Sequence, residues 1–343
     1  MRLIVFVGLA AALAVTGRHD AGADAAEAGN GIFRVIVEDA AGEDGIGTFT
    51  VITGTDHPAG AGREVLHAGA SGQDAESSYL TVRSYTTGTD YVQTTTGAAS
   101  ANSVRVLDDY SVVQPIGSRG YRTTATLAGQ AMFPDDLTIR SEIEVTGSSI
   151  ADSAVVLRTS LTNGGDVPLA LGVRYLLDAA PGGDDGPTLS PGDGPPLSTE
   201  ALLSPAPGVA TVAPNDLDAT AIAVRVSSPG LAISDAMAYA SWTHAFPFAF
   251  DYSPASRNIA RECDLNDSAL LIYFGATETA AIVLPPGQSS TVSLELSTSA
   301  APIPVNSGCS SPSTTPPATP PSPTPEPTPA ELPRTGGSPR SRR

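Results

Sequence analysis

Ala154-Val155-Val156-Leu157-Arg158-Thr159-Ser160-Leu161-Thr162, then Asn163-Gly164-Gly165-Asp166, then Leu169-Ala170-Leu171-Gly172-Val173-Arg174-Tyr175-Leu176-Leu177: the fold turns on this stretch. Two runs rich in aliphatic and β-branched residues flank a turn of Asn, Gly and Asp, the composition of a β-hairpin. Both runs carry apolar residues on both faces, as central strands covered on each side do. The expectation is an antiparallel hairpin at the core of a β body.

Period-two alternation continues outward. Phe33, Val35 and Val37 alternate with Arg34 and Glu38, and Phe49 and Val51 sit among threonines. Tyr79, Thr81, Arg83 and Tyr85 keep the period, as do Val104 with Val106 and Leu137, Ile139, Ile143 and Val145. Further apolar runs at 219–226, 237–242, 269–274, 280–284 and 291–296 read as strands. Helix-period stretches are nearly absent. The Gly, Pro and Asp-rich segment 179–200 reads as a long loop, a kind that is often functional. Together these patterns predict an all-β chain of roughly fifteen strands, a large antiparallel multi-strand sandwich.

Composition narrows the function. The net charge is −18, the pI is about 4.4, and every basic residue other than histidine is arginine. A nucleic-acid binder needs a basic surface, so that class is excluded. The two cysteines, Cys263 and Cys309, fit no zinc spacing and are a candidate disulfide for an oxidising compartment.

The ends of the chain suggest that compartment. After Met1-Arg2, residues 3–15 are almost wholly apolar, too short to span a bilayer but right for a signal-peptide core. Small-x-small sites follow at Ala23-Asp24-Ala25 and Ala26-Glu27-Ala28, so 1–28 reads as a leader and 29–300 as the body. Residues 301–331 form a Pro/Thr/Ser-rich stalk, with nine prolines between 311 and 330. In polyproline II form such a stalk reaches roughly 90 Å. It ends on Leu332-Pro333-Arg334-Thr335-Gly336, followed by the basic tail to 343. These residues resemble the Leu-Pro-x-Thr-Gly motif of sortase-sorted surface proteins of Gram-positive bacteria. The resemblance implies cleavage after Thr335 and joining to the cell envelope, with sortase as a partner. The chain departs from that family in the segment after the motif. Gly337-Ser338-Pro339 runs straight into Arg340 without an apolar span of about 20 residues.

The body carries a second resemblance. Thr162-Asn163-Gly164-Gly165, Gly172-Val173-Arg174-Tyr175-Leu176-Leu177-Asp178, Asp184-Asp185-Gly186 and Leu284-Pro285-Pro286-Gly287-Gln288-Ser289 resemble all-β supersandwich modules of galactose-mutarotase-like type. That implies a fold which hosts both enzymes and binding modules. Mutarotase chemistry would need a histidine acid and a carboxylate base, and His244 is the candidate acid.

Four constellations could carry chemistry. Trp242, His244, Phe246, Phe248, Phe250 and Tyr252 fall on every second position and would line one face of an extended chain. Such a face can stack on sugar rings, or simply cover the core; Pro247 puts it at an edge or in a loop. Asp178, Asp184, Asp185 and Asp193 frame the long loop as candidate calcium ligands, against the plainer reading of a solvated acidic turn. Glu142 and Glu144 share a strand face, as a carboxylate pair for glycoside chemistry or as a solvated face. His19, His57 and His67 stand isolated, with His19 in the leader. No catalytic residue is assigned. The reading is a secreted or wall-attached, non-catalytic adhesion module that binds glycan, wall polymer or a protein of a host or neighbouring cell. The alternative is a carbohydrate-active enzyme of epimerase or lyase type.

Overall fold

β-Branched and aromatic residues at alternating positions build nearly everything in the computed structural model. It describes residues 25–39, 46–69, 75, 77–94, 103–105, 111–214, 222–225, 234–257, 259 and 267–298. The first strands in chain order are β1 (Ala25–Gly29), β2 (Phe33–Glu38), β3 (Phe49–Thr53), β4 (Tyr79–Ser84), β5 (Thr89–Val92) and β6 (Ser103–Arg105). Then come β7 (Ser111–Ile116), β8 (Gly120–Thr126), β9 (Leu137–Thr146), β10 (Ala154–Asn163), β11 (Leu169–Asp178), β12 (Thr188–Pro191) and β13 (Ala201–Leu203). The last are β14 (Ala210–Ala213), β15 (Ile222–Arg225), β16 (Ala236–Ser241), β17 (Ser268–Phe274), β18 (Ile282–Leu284) and β19 (Ser289–Thr298). One four-residue helical turn, α1 (Trp242–Ala245), follows β16. Among the described residues no helix is long and apolar enough to cross a membrane.

Two large sheets face each other. Sheet one runs β12-β14-β15-β19-β10-β9-β8-β7, and sheet two runs β13-β16-β17-β11-β4-β5-β6 with β18 paired to β11. A small sheet, β1-β2-β3, packs its Phe33, Val35 and Phe49 into the same core. The all-β sandwich expected from the sequence is the observed architecture.

The Asn163 turn is where the expectation fails. β10 pairs with β9 and β19, whereas β11 pairs with β4, β17 and β18. The connection is an arch that carries the chain from one sheet to the other. Asn163 makes it: its Nδ2 donates to the carbonyls of Val167 (2.7 Å) and Leu284 (2.9 Å), and its Oδ1 accepts from Gly165 N. Facing rather than pairing lets both strands bury one side in a shared core, where Thr159 Oγ1 and Tyr175 OH meet at 2.5 Å.

Three other expectations meet the structure here. Segment 179–200 is not a bare loop, since it holds a 3-10 turn (Pro181–Gly183) and β12. Strand β1 begins at Ala25, so the last residues read as leader pair with β2, and Glu27 binds Arg34. Cys263, Cys309, the stalk and residues 332–336 lie outside the described residues, which end at Thr298.

The two outer faces differ. On sheet one the outward face is mainly polar, with Arg122, Arg140, Glu142, Glu144 and Arg158. On sheet two the outward face is apolar and covered. Tyr79, Leu176, Leu271, Tyr273 and the alanines of β16 form a second core beneath Ala245, Ala249 and Phe250. Residues 242–257 thus cross sheet two as a strap, joining no strand after α1. Gly172 of β11 makes this seat possible, because a Cβ there would lie 2.7 Å from Phe250 Cζ.

Candidate functional site

The aromatic series does not form one extended face. Ser241 ends β16, the chain turns through α1, and Trp242 and Phe246 come one helical turn apart. Their rings stack at 4.3 Å and 21° as a half-buried ledge, with Tyr79 edge-on to Phe246. Phe248 is exposed and packs against Tyr252 at 5.6 Å, while Phe250 points inward and is fully buried. His244 is exposed, its Nδ1 3.0 Å from Ser241 Oγ.

Where Trp242 lies, the ends of four strands meet. Asp178 ends β11, Asp267 immediately precedes β17, Ser77 precedes β4, and Trp242 follows β16. The Trp242 amide donates to Asp267 O at 2.9 Å, and its indole Nε1 approaches Ser77 O at 3.5 Å. His67 is brought in by its own amide, which donates to Asp178 O, and its Nδ1 lies 3.2 Å from Asp185 Oδ1. The result is a corner holding His67, Ser77, Asp178, Asp185 and Asp267 beside the Trp242 ledge.

The corner has two layers. His67 and Asp185 are partly exposed, whereas Asp178 is only 2% exposed. Burial pushes the Asp178 carboxyl well up from the ordinary carboxylate range, against the pull of the His67 charge. Burial also raises Asp267, and the neighbouring Asp178 charge raises it further. With each carboxyl raised, and each resisting the charge of the other, the pair keeps protons above the ordinary carboxylate range. Asp178 Oδ1 and Asp267 Oδ1 have no well-formed hydrogen bond in the protein, although the carboxyls approach each other and Ser77. His67 shifts the other way: its hydrogen bond to Asp185 outweighs partial burial and lifts it to about 9.

Chemically, this corner is a proton-holding carboxyl pair beside an imidazolium backed by a carboxylate. Those are the parts for donating one proton and accepting another at one small molecule. No local sequence motif carries them, because they come from positions 67, 77, 178, 185 and 267.

The other candidates fall elsewhere. His244, the candidate acid, has its nearest polar contacts with Ser241 and Thr243; the imidazole placed among carboxylates is that of His67. His57 is buried against Phe33, its Nδ1 accepts from Ala59 N, and burial lowers its pKa. Glu142 accepts from Arg122 (2.7 Å) and Arg140, and Glu144 from Arg158 (3.1 Å). Burial raises Glu142, but the two arginines outweigh it and hold the carboxyl below its usual value, unlike the pair at Asp178. Of the candidate calcium ligands, Asp193 sits exposed in the turn after β12, and Asp184 Oδ1 accepts from Gly186 N. Among the described residues no group of three or more His, Cys, Asp or Glu is arranged to hold a metal.

No family model and no curated protein matches this sequence. Several solved structures are similar to this chain at low identity. A candidate aldose 1-epimerase from Escherichia coli K12 is 12% identical, with a TM-score of 0.49, over 80% of this chain and 98% of that one. A galactose mutarotase-like protein from Lactobacillus casei is 13% identical, with a TM-score of 0.48, over 80% of this chain and 100% of that one. An aldose epimerase homologue from Caenorhabditis elegans is 9% identical, with a TM-score of 0.40, over 80% of this chain and 98% of that one. Proteins of galactose-mutarotase and aldose-epimerase type are thus among the chains this one is similar to.

Proposed function

We propose that the body acts on a carbohydrate by acid–base chemistry at the corner of His67, Asp178, Asp185 and Asp267. The observation that carries this is the carboxyl pair Asp178 and Asp267, raised by burial and mutual charge, next to the Asp185-backed His67. Strongly perturbed pairs of this kind cluster where proton transfer is done. Trp242 and Phe246 supply the flat aromatic surface on which the apolar face of a sugar ring rests. In the reaction, Asp267 takes the proton of the anomeric hydroxyl while His67 gives one to the ring oxygen. The ring C–O bond opens to the aldehyde, and closure on the other face reverses both transfers. Asp185 orients His67, and Asp178 sets the proton affinity of Asp267.

A leader ending before β1 and sorting at 332–336 would put this body outside the cell on its stalk, with glycan or wall polymer within reach. The half-buried aromatic ledge also favours a second reading, retention of glycan without turnover.

Anomer exchange in a panel of aldoses, followed by NMR, tests the proposal. The wild type is expected to accelerate exchange of at least one aldose, and Asp267→Asn and His67→Gln to slow it by about 10²-fold or more. No acceleration, or acceleration that both variants retain, would overturn the enzyme reading. Ring binding without exchange, lost in Trp242→Ala, would leave the binding reading standing.

A further inference from the structure

Among the described residues Arg174 is the largest fully buried side chain, at 0% exposure, and no carboxylate pairs with it. An arginine cannot shed its charge, and a buried charge without a counter-charge destabilises the fold that holds it. Its Nη2 donates to Tyr79 OH at 2.8 Å, its Nη1 reaches Phe250 O at 3.4 Å and the guanidinium also approaches the Tyr273 hydroxyl, but Nε has no partner. The register places Arg174 between Thr81 of β4 and Tyr273 of β17, on the outward face of sheet two. The buried Thr81 Oγ1 has no partner either. A donor that must stay charged and an unused hydroxyl therefore lie side by side under the strap.

The cover over them is thin. Between Trp242 and Arg257 only Ala245, Ala249 and Phe250 are buried in full, and one ring, Phe250, is the plug. Polar pins hold the rest. Arg83 Nη1 binds Asp251, whose side chain is 77% exposed, and Glu200 accepts from Tyr252 OH, Ala255 N and Arg257.

We propose that the face beneath the strap is a masked binding site for a sugar acid, with Arg174 receiving its carboxylate. Lifting Phe250 exposes the Arg174 fork, Thr81 Oγ1 and the tyrosine rings of Tyr79 and Tyr273 together. The fork suits a planar carboxylate. Arg83, whose guanidinium lies 4.5 Å from the Phe250 ring, is already held bidentately by Asp90 at 2.7 and 2.8 Å and also binds Asp251, so among the described residues Arg174 is the guanidinium under the strap without a carboxylate, which suits a monoanion over a phosphate dianion. The sugar part of the ligand rests on the carbohydrate reading above; the anion does not.

The test is thermal unfolding of the whole chain at fixed ionic strength with D-galacturonate, D-galactose, acetate or inorganic phosphate. A ligand that binds only the folded state raises the midpoint with concentration. The expected result is a rise with galacturonate that exceeds those with galactose, acetate and phosphate. Arg174→Gln should abolish it, and Arg174→Lys, which keeps the charge but not the fork, should need at least about tenfold more ligand. Hydrogen exchange of the 246–257 amides should quicken when galacturonate is bound. The same rise in the arginine variants, no rise in the wild type, or an equal rise with acetate would each overturn the proposal. Asp267→Asn should keep the galacturonate response, which separates failure here from failure of the acid–base site.

Discussion

The outward faces of the two large sheets solve the same problem in opposite ways. Sheet one leaves its face to water and fills it with arginine–glutamate pairs at 2.7 to 3.1 Å. Sheet two turns tyrosines, alanines, Leu176 and Arg174 outward and covers them with residues 242–257. The consequence is electrostatic. On the open face Glu142 is held low by its arginines, whereas at the corner of the covered face burial drives Asp178 and Asp267 up. Burial raises Glu200 too, but hydrogen bonds from Tyr252, Ala255 and Ser241 and the charge of Arg257 outweigh it, so burial lifts a carboxyl only where such donors are lacking, as at Asp178 and Asp267.

The largest effect expected from breaking this contrast is at the plug. Phe250→Ala should cost about 3–5 kcal/mol in urea unfolding, as removal of a core aromatic does. Val112→Ala, on the edge of sheet one and 55% exposed, should cost within about 0.5 kcal/mol. Equal costs would mean that the strap is not packed.

A smaller loss is expected at the pin. Glu200 has no exposed side-chain surface and accepts four hydrogen bonds from residues of β16 and the strap: Ser241 N, Tyr252 OH, Ala255 N and Arg257. Glu200→Gln keeps the shape but not the charge, and should cost about 1–3 kcal/mol. Proteolysis should then cut within 246–257 before it cuts the sheets.

The pH dependence should have an uncommon sign. His67 is raised to about 9 in the folded chain from 6.5, so its contribution is complete below pH 6.5 and is lost as the pH climbs through 9. Asp178 and Asp267 are also raised, so the folded state binds more protons than the unfolded one above the ordinary carboxylate range, and stability falls as pH rises. Thermal midpoints should therefore decline from about pH 6 to pH 9, and Asp178→Asn should flatten that slope by about 1 kcal/mol. A rising midpoint over that range would contradict the assignment. The smallest effect belongs to the open face, where Glu142→Gln should change stability by about 0.2–1 kcal/mol, less at high salt.

Strands such as β2, β4 and β9 were legible because alternation is local, whereas β7, β8 and β12 to β14 went unread. Phe33, Val35 and Val37, or Leu137, Ile139 and Ile143, declare one buried face within a few residues. The Asn163 arch was not legible, because Asn-Gly-Gly-Asp suits a hairpin and only the partners of each strand, β4 with β11 and β9 with β10, decide otherwise. The aromatic alternation from Trp242 misled because one helical turn converts a spacing of two into a stack of i and i+4. Asp178 left a signal, a charged residue closing the apolar run Tyr175-Leu176-Leu177. Nothing near His67 or Asp267 pointed to it, since the meeting of the strand ends that joins them is long-range.

The most direct test is an NMR titration of carboxyl-labelled aspartate and of the His67 imidazole. The account predicts that Asp178 and Asp267 titrate together well above the ordinary carboxylate range. It also predicts that His67 titrates near 9, and that Asp178→Asn returns Asp267 toward an ordinary value. Aspartates that titrate near 4, separately and without change in the variant, would contradict it.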